Sequence, residues 1–175
     1  NQWSEIMYDP EGKRFFREKI SQSAVTDELI NRSDIKALVE HNRERLLARY
    51  NKGKGTLVLT IDEHGLRYKF EAPNTDDGNY AVEMVSRGDI NGSSFAFSAI
   101  KGKDDVWVKG DDRIFERTIN NIRFLSDVTI TSDPAYSQTE VSVRSLEEME
   151  KPDEEEEVRP KSYRAKIEKL KMNIH

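Results

Sequence analysis

Three residues of this sequence have types and settings that could do chemistry. Ser94 follows the run Gly88-Asp89-Ile90-Asn91-Gly92-Ser93, whose glycines, aspartate and asparagine suit a backbone that bends or takes positive φ. From Ser94 the residues alternate, with Ser94, Ala96 and Ser98 on one side and Phe95, Phe97 and Ala99 on the other. Two aromatics anchoring the strand in a core would hold Ser94 on the opposite face among small neighbours, a good position for a nucleophilic hydroxyl. The same run also reads as a plain strand start. His41 is the candidate imidazole, because His64 lies in the tight turn Asp62-Glu63-His64-Gly65 and His175 is the last residue. A lone histidine is more often structural or solvated; if a base is needed here, His41 is the one to supply it. Asp127 stands in mid-strand, where a carboxylate is costly unless paired or hydrogen-bonded. An edge or solvent-facing position accommodates it equally well.

These residues need elements to position them. The stretch 33–41 predicts a short helix: Ser33 or Asp34 can cap it, and Ile35, Leu38 and Val39 form an apolar stripe. His41 would then sit at the helix end, where the dipole favours a cation. Residues 42–55 read as a basic loop ending in Gly53 and Gly55, without a phosphate-binding loop pattern. Residues 56–61 and 66–72 alternate on either side of a link ending in Gly65 and predict a β-hairpin. Residues 80–85 have helical spacing and lead into the Gly88 turn. Short strands are expected over 106–108, 113–118, 121–131 and 139–143. Along 121–131, Ile122, Phe124, Val128 and Ile130 are expected on one face, with Leu125, Asp127, Thr129 and Thr131 on the other. Asp133-Pro134-Ala135-Tyr136 ends that strand. Residues 1–20 carry Trp3, Ile6, Met7, Tyr8, Phe15, Phe16 and Ile20 around an Asp9-Pro10-Glu11-Gly12 turn, and read as a partly buried extended segment. The sum is a mainly β fold with peripheral helices (α+β), in the form of a small closed or strongly bent β-barrel.

Composition sets further bounds. The chain has 175 residues, enough for one domain and a tail, and it begins at Asn1 rather than a methionine, which suggests that an N-terminal piece is missing. With no cysteine, disulfides, thiolate catalysis and cysteine metal sites are excluded. No metal and no cofactor are expected. No apolar run reaches the ~18 residues of a membrane span, so no membrane partner is expected. Charge is uneven: 147–157 carry a net −7, 158–175 a net +5, and the body 1–146 a net −3. A near-neutral body argues against a nucleic-acid footprint. The expected organisation is a domain over 1–144, an acidic linker over 145–160, and a basic amphipathic helical tail over 161–175 with Tyr163, Ile167, Leu170 and Ile174 on one face.

Several ordered pieces of the chain together resemble the prohead maturation proteases of tailed bacteriophages, the HK97-type family. They are Asn1-Gln2-Trp3-Ser4-Glu5 with Phe16-Arg17-Glu18-Lys19-Ile20; Leu38-Val39-Glu40-His41-Asn42; Thr56-Leu57 through Gly65-Leu66; Arg87 through Phe97; and Leu125-Ser126-Asp127-Val128-Thr129 with Pro134-Ala135-Tyr136 and Thr139. Two departures stand out: the family usually has glutamate where this chain has Asp127, and the 42–55 connection is longer than usual. A strand that normally precedes Asn1 is expected to be missing.

The resemblance implies a serine endopeptidase with a fold similar to the herpesvirus assembly proteases. Ser94 would be the nucleophile, His41 the general base and Asp127 the residue that holds the imidazole. Arg144 is the candidate oxyanion donor. Capsid and scaffold proteins, and the enzyme itself, would be substrates, within the assembling procapsid in the bacterial cytoplasm; a homodimer is a further expectation. The alternative is a catalytically inactive capsid- or scaffold-associated module of the same fold.

Overall fold

A computed structural model describes residues 3–110, 113–137, 139, 141–145 and 170–174, with 144, 145 and 170–174 described through their backbone. In chain order the strands are β1 (Met7–Asp9), β2 (Arg14–Ile20), β3 (Asp34–Val39), β4 (Asn42–Asn51), β5 (Lys54–Gly55), β6 (Val58–Ile61), β7 (Leu66–Glu71), β8 (Gly92–Ser98), β9 (Asp105–Lys109), β10 (Phe115–Ile119), β11 (Phe124–Thr131), β12 (Val141–Ser145) and β13 (Leu170–Ile174). The helices are α1 (Asp27–Arg32) and α2 (Asp76–Arg87). The fold is mainly β, as expected. The described strands form three sheets, ordered β1-β2-β10-β9, β5-β4-β3-β11-β8 and β12-β13-β7-β6, and none of them closes on itself. The closed form of the expected barrel is therefore not what these residues make. The chain moves repeatedly from one sheet to another, and each sheet keeps its own edges.

The helix expected over 33–41 is a strand. The helical segment lies earlier, in α1, where the Thr26 hydroxyl accepts the Leu29 N–H at 3.1 Å. It ends at Ser33, whose hydroxyl donates to the Leu29 carbonyl at 2.7 Å. Beyond it Ile35, Ala37 and Val39 enter the main core with a period of two. Leu38 is buried outside that cluster. β3 runs between antiparallel β4 and parallel β11, so both its backbone edges are filled. A strand there is paired on both sides over most of its length, and a six-residue helix could not compete.

The basic loop expected over 42–55 is likewise ordered, as β4 and β5. Leu47 and Ala48 are buried, Ala48 lies opposite Ala37, and most of the basic residues occupy exposed positions. The expected hairpin is present as β6 and β7, in register from Ile61↔Leu66 to Val58↔Lys69. The helix expected over 80–85 is the twelve-residue α2, capped by Thr75 and closed by Gly88 at φ 79°.

The expected helical tail is corrected at its far end. Leu170–Ile174 is strand β13, antiparallel to both β12 and β7, with Met172 opposite Val143 and Phe70. Two open strand edges offer a five-residue segment a backbone partner on each side, which an isolated short helix in water lacks. The tail is thus not wholly separate from the domain. The rest of the expected linker and tail, residues 146–169 and 175, lies outside the described residues.

Candidate active site

β11 supplies most of the site, and a single bulge decides which of its residues face it. Leu125 lies opposite Phe97 and Asp127 opposite Ala96, so Ser126 is an extra residue in β11. The bulge shifts the alternation. Leu125, Val128 and Ile130 all reach the core with Phe95 and Phe97, while Asp127 and Thr129 turn to the opposite face with Ala96 and Ser94. Strict alternation would have put Phe124 in the core and Leu125 beside Asp127. In fact Phe124 is exposed and Leu125 is buried.

His41 reaches that face from the β3–β4 turn. Val39 and Asn42 are paired, leaving Glu40 and His41 as a two-residue connection with φ of 52° and 54°. A hairpin of this kind needs positive φ at both positions and is normally made with asparagine or glycine. Here two residues with full side chains hold it, at a cost on the order of 1–3 kcal/mol each. The offsetting contacts all come from β11 and its end. Glu40 N–H donates to the Ile130 carbonyl at 3.0 Å, and His41 N–H to Thr129 Oγ1 at 3.0 Å. Thr129 is fully buried and donates in turn to the Leu38 carbonyl at 3.0 Å.

The His41 ring meets Asp127, with Nδ1 2.6 Å from Oδ1. Asp127 is buried, whereas the His41 side chain is 40% exposed. A carboxylate on Nδ1 assigns the proton to that nitrogen and leaves the Nε2 lone pair to act as a base. The mid-strand carboxylate singled out in the sequence thus has its partner.

Ser94 shares this face. It lies directly opposite Thr129, and Asp127 is one diagonal step away, about 7–8 Å between backbones. Ser94 is half-buried, and no hydrogen bond joins it to His41 in this structure.

Ser93 is placed differently. It is buried on the core side, where its hydroxyl shares a 3.1 Å hydrogen bond with Tyr68. Burial holds the Tyr68 phenol well above its usual range, so this contact is between neutral groups. Ser93 N–H donates to Thr139 Oγ1 at 2.9 Å, and that hydroxyl donates back to the Ser93 carbonyl at 2.6 Å. The Ser93 amide is therefore committed and is not a free oxyanion donor. At the start of the strand, a Cβ added to Gly92 would lie 2.5 Å from Pro134 Cγ, so the Pro-Ala-Tyr segment packs directly on the serine strand.

Arg144 belongs to β12, opposite Lys171; its side chain lies outside the described residues. His64 is exposed in the β6–β7 turn, with its N–H bonded to Asp62, far in role from the His41 pair. A cavity of about 290 Å³ opens beside Asp127, with Leu38 and Phe124 as apolar walls and Lys36 and Arg43 as cations. Asp34 at its edge is held at about 2 by hydrogen bonds from Arg49, with Lys36 adding to them.

Sequence reasoning named Thr129 and Thr139 without giving either a role, and it missed the anchoring of Glu40. A signal for Thr129 was available: it alternates with apolar residues beside Asp127, and a polar group buried in such a strand must have a partner. In comparison with known proteins, residues 1–152 match the family model described as caudovirus prohead serine protease. No curated protein and no solved structure matches the chain.

Proposed function

The chain belongs to the caudovirus prohead serine protease family, and from that premise we propose that it is a serine endopeptidase of phage capsid maturation. The observation that carries the reading is the 2.6 Å His41–Asp127 contact on the sheet face that Ser94 shares. Ser94 Oγ attacks the scissile carbonyl carbon while His41 Nε2 takes its proton. Asp127 holds the ring through Nδ1 and stabilises the imidazolium that forms. The tetrahedral intermediate collapses as His41 returns the proton to the leaving amine. Water, activated by the same imidazole, then frees the acyl group from Ser94. The oxyanion needs donors other than the Ser93 amide, and Arg144 is the proposed side chain. The substrates are capsid and scaffold segments, together with the enzyme's own chain, cut inside the assembling procapsid in the bacterial host.

Co-expression with the cognate capsid and scaffold proteins, followed by mass spectrometry of the fragments, tests this reading. Wild type should yield discrete cuts, and Ser94→Ala and His41→Ala should abolish them. Ser93→Ala and His64→Ala should retain them, because Ser93 faces Tyr68 and His64 lies in an exposed turn. Unchanged cutting in Ser94→Ala would overturn the assignment. Uncut proteins in every sample would favour the inactive structural module.

A further inference from the structure

We infer that Glu40 is a positioning residue for His41, locking the strained turn that aims the imidazole at Asp127 and Ser94. This rests on the protease reading above. Glu40 is an exposed residue at positive φ, a position where a glutamate has no intrinsic reason to stand. Its carboxylate nevertheless accepts three hydrogen bonds, all from the end of β11. Ser132 N–H and Ser132 Oγ donate to Oε1 at 2.8 and 2.9 Å, and Thr131 Oγ1 donates to Oε2. Thr131 is itself oriented, because its oxygen accepts the Asp133 N–H at 3.1 Å and so presents its proton to Glu40. Partial burial pushes the Glu40 carboxyl up, but these donors outweigh it and leave the group below its usual range, ionised and fully able to accept.

The consequence is geometric. β11 carries Asp127 on one of its turns of the pleat and grips the His41 turn four to five residues later. Acid and base are therefore referenced to a single strand. Without the Glu40 carboxylate, the turn keeps the Val39–Asn42 pair, the backbone N–H bonds of residues 40 and 41 to Ile130 and Thr129, and the ring's own contact with Asp127, but loses all three side-chain bonds from residue 40 to the end of β11. Residue 40 could then relax to negative φ, and the ring would swing with it.

The test measures covalent labelling of Ser94 by a fluorophosphonate, which reports nucleophile activation without requiring the natural substrate. The variants are Glu40→Ala, which removes the carboxylate but keeps a β-carbon strained at positive φ, so that the turn is free to relax, and the pair Thr131→Val and Thr131→Ser. The maximal labelling rate should fall about tenfold in Glu40→Ala and Thr131→Val with the half-saturating probe concentration unchanged, and Thr131→Ser should restore it. Thermal unfolding confirms that each variant is folded at the assay temperature. A rate within threefold of wild type in folded Glu40→Ala, or in folded Thr131→Val, overturns the inference while leaving the protease reading intact. Absence of Ser94-dependent labelling in the wild type overturns the protease reading, and this inference with it.

Discussion

Replacing Asp127 by asparagine keeps the side chain's shape and removes its charge, so it isolates what the carboxylate contributes to His41. In the proposed mechanism the transition state for attack by Ser94 carries an imidazolium, and Nδ1 of that ring is 2.6 Å from Oδ1. The centres of the two charges are then about 4 Å apart, and at an effective dielectric of about 20 their attraction is about 4 kcal/mol. That dielectric suits a pair with one buried partner and one partner 40% exposed. Asparagine retains a neutral acceptor but loses this attraction, and it can present its amide to the ring and favour the wrong tautomer. The expected loss in the maximal rate of cleavage or fluorophosphonate labelling is about 10³-fold, with the protein still folded by circular dichroism. Asp127→Glu, which restores the acid the family usually carries, should retain far more activity than Asp127→Asn. A loss below tenfold in folded Asp127→Asn would refute the electrostatic argument and reduce Asp127 to a structural neighbour of the histidine.

Gly92→Ala should destabilise the fold by about 1–3 kcal/mol in urea unfolding, because its Cβ would overlap the Pro134 ring and the ring cannot turn aside. Wild-type stability would show that this contact yields. Glu18 is buried beside Arg117, and burial pushes its carboxyl above the usual range while the guanidinium 3.0 Å away opposes this. Because the folded value is raised, Glu18's contribution is complete below the unfolded carboxyl pKa of about 4.3 and is lost as pH rises through the folded value. The stability of Glu18→Gln relative to wild type should therefore increase from about pH 4 toward neutrality, and a difference independent of pH would contradict the burial argument. Met172→Pro should lower stability by about 2 kcal/mol, since proline removes a ladder donor from a strand paired on both sides. An unchanged unfolding midpoint would mean that β13 contributes nothing to the third sheet.

Much of the candidate site was legible in the sequence because the signals were local. Ser94 sits where a glycine-rich turn passes into an alternating aromatic strand, and the alternation alone separates its face from that of Ser93. The β6–β7 hairpin and α2 carry their own turn and cap residues, so they needed no tertiary information. A mid-strand Asp127 pointed either to a partner or to an edge or solvent-facing position, and only the fold showed it buried and paired with His41. Tertiary structure decided the rest. The segment 34–39 has apolar residues compatible with either period, and only the open edges of β4 and β11 made it a strand. That choice moved His41 from a helix end to a strained two-residue turn. The bulge at Ser126 has no local sequence mark, yet it determines that Leu125 is buried in the core while Asp127 shares the face of Ser94. Strand pairing, register and bulges depend on partners distant in the chain, and so a sequence read along its length can name a candidate serine, histidine and acid while leaving it to the sheet to decide which faces they occupy.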